Sequence, residues 1–331
     1  MKAIILAGGV GERFWPLSTD SLPKQFLKLF GKKSLIRETF ERLAYRLKPK
    51  DIYVVTNARY INKTKEELPE IPSGNILGEP EKKNTAPACV LGTLCVEDDN
   101  EIIFIVPADH YIPDVETFWE KVDRASVFLE KNEGIVTFGI FPTRPETGYG
   151  YIEVESKYVK NEKSNVVPVR KFKEKPDFET AKKYLEKGNY FWNSGMFMWK
   201  KKYFIDQMKK HSPEVIEPFE GNKNIEEIYK RVPSISIDYA LMEKADRIYT
   251  IPSNFVWSDV GNWLSLKELK VKSSDSVVAL DCENVFVKST KPVVVIGMKN
   301  IVVVESEHGI LVSTDEGVQK IREAVKKMKE I

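Results

Sequence analysis

Lys2-Ala3-Ile4-Ile5-Leu6-Ala7-Gly8-Gly9-Val10-Gly11-Glu12-Arg13 is an apolar run that breaks into three glycines and then a cation. A strand that delivers a glycine-rich turn at its carboxyl end is how an open α/β sheet begins a ligand site. Without a Cβ in the way, main-chain N–H groups at such a turn can approach phosphate oxygens. Arg13, and Lys24 in Pro23-Lys24-Gln25-Phe26, would offset the charge of a bound polyphosphate. Nucleotide chemistry is therefore the leading expectation. A dinucleotide fingerprint would need a glycine where the chain has Phe14, and an acid closing the second strand, which Ile52-Tyr53-Val54-Val55-Thr56-Asn57 lacks. A Walker loop would need Gly-Lys-Ser/Thr after the glycines, and none follows.

Outward from this turn, short β-rich runs alternate with amphipathic stretches from residue 2 to about 140. That rhythm predicts a Rossmann-like α/β fold, a mixed and mainly parallel sheet covered by helices. Strands are expected at Ala3 to Leu6, Ile52 to Thr56, Ile102 to Val106 and Ile135 to Gly139. Leu35, Thr39, Leu43 and Leu47 share one helical face, opened by Ser34 as N-cap, and Phe118, Val122, Ala125 and Leu129 share another. From Tyr149 to Trp199 β-runs such as Gly150 to Val154 and Val169 to Lys173 suggest an inserted sheet closing one side of a cleft. Helical stretches follow at Tyr203 to His211, Ile225 to Val232 and Ile237 to Lys244.

Five short Val/Ile-rich runs come after Leu269, at 277–280, 285–287, 293–296, 301–304 and 310–312. They predict a small C-terminal β-rich domain, β-helix-like or a compact sandwich, ending in a helix from Val318 to Met328. The linker around Lys270 to Ser274 separates an expected catalytic domain, 1–268, from this domain, 275–331. Edges on so small a sheet need cover, which makes it a place for self-association as a homodimer.

Composition excludes several function classes. With 51 Lys+Arg against 49 Asp+Glu, the 331-residue chain has no net field to hold nucleic acid or an anionic membrane, so phosphate binding must be local. Cys89, Cys95 and Cys282 show no metal or disulfide spacing and fit a reducing compartment. The chain enters its first strand with no basic leader or long apolar run, so a cytoplasmic protein is expected.

The acids that can carry chemistry follow strands. Asp109 in Pro107-Ala108-Asp109-His110 emerges after an apolar strand, where a carboxylate suits Mg²⁺ bound also by phosphate; taken alone, a turn or cap aspartate is as good a reading. Asp259, in Trp257-Ser258-Asp259-Val260-Gly261, could complete such a site. His110 has no partner signature and is expected to be structural. Glu174-Lys175-Pro176 and Asn193-Ser194-Gly195 offer acceptors and an amide near aromatic and glycine surfaces, as sugar recognition requires, although Lys171 to Lys175 in isolation is a solvated charged strand.

Taken in order, these motifs resemble the sugar-phosphate nucleotidyltransferases, and within them the mannose-1-phosphate guanylyltransferases. The resemblance rests on Leu6-Ala7-Gly8-Gly9-x-Gly11-x-Arg13-x-Trp15-Pro16-Leu17-Ser18, Pro23-Lys24-Gln25-Phe26, Asn84-Thr85-Ala86-Pro87-Ala88, Pro107 to His110, Glu174-Lys175-Pro176, Trp192-Asn193-Ser194-Gly195, Ser236-Ile237-Asp238-Tyr239-Ala240 and Trp257 to Gly261. It implies GTP and mannose 1-phosphate as substrates, GDP-mannose and pyrophosphate as products, and Mg²⁺ as cofactor. By the same resemblance, Leu6, Ala7, Gly8, Gly9 and Gly11 would cradle the triphosphate, with Arg13 and Lys24 stabilising the departing pyrophosphate. Asp109 and Asp259 would hold Mg²⁺; Glu79, Asn84 and Thr85 would lie near guanine. Gly150, Glu174 and Asn193 would meet mannose hydroxyls, and Lys175 the sugar phosphate. Alternatives are another nucleoside triphosphate and sugar 1-phosphate pair, or a non-catalytic sugar-nucleotide sensor.

Two positions depart from the pattern. Val10 stands where many relatives have serine. Glu12 replaces a frequent threonine and places an acid beside the phosphate loop, where an inward carboxylate would repel the triphosphate. Glu12 is expected to point outward or to meet the metal only indirectly. The chain ends soon after the β-rich segment, so a single activity is expected, without the isomerase domain fused to some relatives.

Overall fold

A computed structural model describes residues 1–9, 11–159, 166–221, 224–328 and 330; Val10 lies outside the described residues. By packing, the chain divides into two compact units that do not follow chain order. One comprises Met1–Gly8, Phe40–Ala108 and Ile112–Trp257; the other gathers Gly9–Thr39, Asp109–Tyr111 and Ser258–Ile331.

The first unit is built on a ten-stranded sheet. Its strands are β1 (Lys2–Ala7), β2 (Ile52–Asn57), β3 (Ile76–Glu79), β4 (Ile102–Pro107), β5 (Ile135–Ile140), β6 (Tyr151–Glu153), β7 (Val167–Pro168), β8 (Lys171–Lys173), β9 (Tyr190–Lys200) and β10 (Ile248–Ser253). The path runs β3-β2-β1-β4-β9-β5-β10-β7, with β6 on β9 and β8 on β6. Parallel pairing joins β3 to β2, β2 to β1, β1 to β4 and β5 to β10. All four strands expected from the sequence are present, each extended by a residue or more.

Two features differ from the expectation. The β-runs from 149 to 199 do not form a separate inserted sheet: β9 lies antiparallel between β4 and β5, at the centre, and β6 and β8 branch from it. Nine of the eleven residues of β9 are buried, so the strand lacks the alternation that would mark a half-exposed position in the sheet. The expected helix at 237–244 is a five-residue π-helical turn, Asp238–Met242.

Helices cover both faces, as near-continuous burial along β4 and β5 requires. One face packs Ile4, Ile103, Ile105 and Trp199 with Ala86, Cys89 and Val90 of the helix Thr85–Leu94 and with Phe204 and Met208 of the helix Lys201–His211. On the other, Phe118 of the helix Val115–Lys131 meets Phe104, ring centroids 6.0 Å apart. Asp114 caps that helix through the Thr117 N–H at 3.0 Å. Trp119 donates to the Arg42 carbonyl at 2.7 Å, which ties it to the end of the helix Leu35–Ala44. Ser34 accepts from the Arg37 N–H at 3.4 Å, in the N-cap role read from the sequence.

The second unit has its own apolar cluster, in which Phe14, Leu27, Leu29 and Leu35 pack with Trp263, Phe286, Val302, Val304, Val318 and Ile321. The segment that follows the glycine turn therefore shares a core with the C-terminal strands. Those strands are β11 (Val277–Leu280), β12 (Glu283–Lys288), β13 (Val293–Ile296), β14 (Lys299–Ser306) and β15 (Gly309–Thr314). Pairing is parallel between β11 and β13 and between β12 and β14, and in both pairs the partner lies sixteen residues on, Val277 against Val293 and Glu283 against Lys299. A constant offset with parallel strands is a solenoid, so the β-helix-like alternative is the one adopted. Asn284 and Asn300, one offset apart, both take positive φ (54° and 52°), and the Asn284 Nδ2 donates to the Asn300 Oδ1 at 2.7 Å. β15 turns back antiparallel on β14, and the chain continues to the helix Ile321–Met328.

Candidate active site

Three groups of polar side chains stand at the positions the sequence singled out. The first lies in the second unit. Lys24 is buried, and its Nζ donates to the Asp109 Oδ2 at 2.7 Å and to the Asp259 main-chain oxygen at 2.6 Å. Three motifs spread over 235 residues thus converge on one ammonium. Gly11 explains how the turn and the lysine meet. Its φ is 72°, and a Cβ there would lie 2.1 Å from the Lys24 Cβ, so only glycine allows the turn and the lysine segment to pack this closely. Ser18 anchors the same turn by donating to the Gly11 carbonyl at 2.6 Å. The two aspartate segments are joined by a reciprocal pair of main-chain hydrogen bonds between Tyr111 and Ser258, at 2.9 and 3.1 Å. Burial alone would raise the Asp109 carboxyl, but the charge of Lys24, with that of His110 and the Lys24 hydrogen bond, outweighs it and holds the group below the usual carboxylate range. Arg13 and Gly9 are exposed.

The second group belongs to the first unit. Glu79 ends β3, is buried, and accepts from the Tyr229 hydroxyl at 2.9 Å through Oε1. Its Oε2 lies 3.3 Å from where a Cβ on Gly8 would stand, which places a carboxylate against the start of the glycine turn. Burial pushes Glu79 up to about 7, against the hydrogen bond from Tyr229, which favours the charged form. Asn84 caps the helix Thr85–Leu94 through the Thr85 N–H at 2.9 Å and takes a positive φ of 67°. The Thr85 hydroxyl accepts from the Ile237 N–H at 2.8 Å. In this structure both side chains serve the local fold around the start of that helix.

The third group is also in the first unit and brings together all four residues expected near the sugar. Asn193, on β9, accepts from the Thr137 hydroxyl at 3.0 Å and donates to Asp238 Oδ1 at 3.2 Å. Its main-chain N–H donates to the Gly150 carbonyl at 2.8 Å. A Cβ on Gly150 would lie 2.6 Å from the Glu174 Oε2, so glycine leaves the room that this carboxylate occupies. Lys175 pairs with Glu174. Burial and the neighbouring Glu174 push Asp238 up to about 7, opposed by Lys175.

Asp238 and Tyr229 are among the residues whose part in these groups sequence reasoning missed, as are Thr137 and Ser18. Asp238 was within reach, since it stands in Ser236-Ile237-Asp238-Tyr239-Ala240, but nothing in that motif says that its carboxylate meets Asn193. Tyr229 offers no signal: in the helix Ile225–Arg231 it reads as one more core position beside Ile228.

The comparison with known proteins decides the family. A nucleotidyl transferase family model matches residues 2–276. The chain belongs to the nucleotidyl transferase family. A second model, for the mannose-phosphate isomerase/GMP-like β-helix domain, matches residues 275–328 of this nucleotidyl transferase. Its curated relatives include a mannose-1-phosphate guanylyltransferase of Salmonella montevideo, 36% identical over 98% of the chain and 73% of that protein. Another is the alginate biosynthesis protein AlgA of Pseudomonas putida, 36% identical over 100% of the chain and 72% of that protein. Among solved structures, one described as a mannose-1-phosphate geranyltransferase from Thermus thermophilus superposes with a TM-score of 0.86 at 32% identity, covering 99% of both chains.

Proposed function

We propose that this nucleotidyl transferase moves GMP from GTP to mannose 1-phosphate and releases pyrophosphate. The convergence of Lys24, Asp109 and Asp259 beside the glycine turn supports the reaction class, and the names of relatives that align over nearly the whole chain support the substrate pair. An oxygen of the sugar phosphate attacks the α-phosphorus of GTP in line. One P–O bond forms, the bond to the β-phosphate breaks, and pyrophosphate leaves with the electron pair. The nucleophile is already an anion near neutral pH, so the residues need position and neutralise rather than remove a proton.

The glycine turn supplies main-chain N–H donors to the triphosphate, and Arg13 and Lys24 stabilise the leaving pyrophosphate. Lys24 already sits between the two aspartate segments, where its charge keeps Asp109 ionised. Asp109 and Asp259 suit Mg²⁺, a hard ion that takes one or two carboxylates and completes its shell with phosphate and water. Lys24 engages one Asp109 oxygen. When bound there, Mg²⁺ would supply charge neutralisation at the phosphate oxygens. Glu79 offers carboxylate oxygens to the N1 and N2 donors of guanine, with Asn84 and Thr85 beside it. Gly150, Glu174 and Asn193 contact mannose hydroxyls, and Lys175 contacts the sugar phosphate.

The same reading includes a cytoplasmic homodimer. On the solenoid Val278 pairs with Val294 and Leu280 with Ile296, and all four are more than half exposed. A second copy would cover this apolar face. No helix among the described residues is long and apolar enough to cross a membrane.

Pyrophosphate release tests the activity. The four ribonucleoside triphosphates are each offered with mannose 1-phosphate and glucose 1-phosphate, with Mg²⁺ and with EDTA. Release confined to GTP with mannose 1-phosphate, and lost in EDTA, is expected. A different preferred pair would keep the reaction class and change the substrates; no release with any pair would leave a sugar-nucleotide sensor.

A further inference from the structure

Glu12 is an anion next to Gly11, in a turn proposed to receive a triphosphate, and the structure shows what answers its charge. Its Oε2 lies 2.6 Å from the Nε of Arg322, which is 310 residues further along the chain. Both belong to the second unit. Hydrophobic packing sets this meeting. Glu12–Phe14 form a single helical turn whose Phe14 is fully buried in the cluster that also takes in Ile321 and, partly buried, Val325. Ile321 and Val325 are one turn apart on the same face of the terminal helix, so seating them against Phe14 brings Arg322 to the rim beside Glu12.

We infer that Arg322 is a positioning residue for the nucleotide site: it holds the Glu12 carboxylate outward and cancels its charge, so the terminal helix contributes to triphosphate affinity. This rests on the function proposed above. The pair is solvent-exposed, 66% at Arg322 and 44% at Glu12, so it contributes little to stability. Its effect lies in the field at the turn. With Arg322 removed, an uncompensated carboxylate stands one residue from Gly11 and repels an incoming polyanion. The pairing also accounts for an acid being tolerated at a position where the resemblance leads one to expect threonine.

The test compares Arg322→Gln, Glu12→Gln and the double variant with wild-type protein. Calorimetric binding of inorganic tripolyphosphate is measured at low and at high salt, together with the KM for GTP. Arg322→Gln is expected to weaken tripolyphosphate binding and raise the KM roughly tenfold at low salt, with a much smaller change at high salt. The double variant should return to wild-type affinity, because removing the carboxylate removes the need for its partner. Arg322→Lys should stay near wild type, and it separates charge from folding should Arg322→Gln unfold. An Arg322→Gln affinity within roughly twofold of wild type at low salt, or a double variant as weak as Arg322→Gln alone, overturns the inference. Tripolyphosphate carries neither guanine nor mannose, so wild-type protein that binds it without turning over any substrate pair sinks the proposed function alone. Wild-type protein that turns over GTP with mannose 1-phosphate but does not bind tripolyphosphate leaves the proposed function standing, and an Arg322→Gln KM for GTP within roughly twofold of wild type at low salt then overturns the inference alone.

Discussion

Asp109 and Glu79 are both carboxyls at the ends of parallel strands, and burial presses both toward the neutral form, yet their surroundings displace them from the ordinary carboxylate range in opposite directions. Asp109 has an ammonium 2.7 Å away and stays below the usual range. Glu79 has the neutral Tyr229 hydroxyl at 2.9 Å and rises to about 7. A neutral donor leaves most of the cost of burying a carboxylate in place, whereas a cation offsets it. In the proposed reaction these environments suit different tasks. An Asp109 held below the usual carboxylate range by Lys24 suits a place where metal and phosphate charge is handled, and the Glu79 carboxyl, which a neutral hydroxyl supports, suits a place where a base edge is read by hydrogen bonds.

The comparison breaks most visibly at Asp109. Asp109→Asn is expected to reduce turnover by roughly a thousandfold or more while leaving cooperative urea unfolding intact, because the carboxylate is needed for charge and not for packing. Near-normal activity in a folded Asp109→Asn protein would remove this residue from the mechanism. Gly11→Ala comes next. The added Cβ meets main-chain-anchored atoms of Lys24 at a positive φ, so activity should fall roughly a hundredfold and the melting temperature should drop with it. Gly150→Ala meets instead the far end of Glu174, a flexible side chain that can move. There a roughly tenfold rise in the KM for mannose 1-phosphate is expected, with stability nearly unchanged; equal damage from both alanines would show that the two glycines are not distinguished by what they face.

The pH dependence of stability tests the comparison through a different readout. Because Glu79 rises from an ordinary 4.5 to about 7, the folded state binds more protons than the unfolded state between those values. Stability therefore falls as pH rises from 4.5 to about 7, and Glu79→Gln should remove most of this fall, on the order of 3 kcal/mol. Asp109 works the other way. Its contribution is present above the ordinary aspartate value of 3.8 and is lost as pH falls through its depressed value. Urea unfolding of wild type and of each variant from about pH 3 to about pH 8 reads both signs, and parallel slopes in wild type and Glu79→Gln would contradict the assignment at Glu79.

Much of the fold was legible in the chain. Apolar runs punctuated by glycine and amphipathic helices specify parallel strands through local pattern, and all four strands expected in the first 140 residues form. β9 was not legible. Covered on both faces and carrying Asn193 and Ser194 among aromatics, it has no alternation to mark it, and its place between β4 and β5 follows from pairing with residues up to about a hundred positions away. The solenoid was half legible: the five runs show in the sequence, but the sixteen-residue offset that separates solenoid from sandwich appears only in the pairing.

The candidate site divides in the same way. The chain by itself determined which residues carry charge, which are glycines, and in what order the motifs come, because these are properties of residue type and spacing. Tertiary structure alone decided that Lys24 bridges the Asp109 and Asp259 segments, that Tyr229 supports Glu79, that Asp238 meets Asn193, and that Arg322 answers Glu12. Each of those contacts spans at least 45 residues. The physical reason is that a side chain's partner, and hence its charge state, is set by where the packing of apolar neighbours carries it.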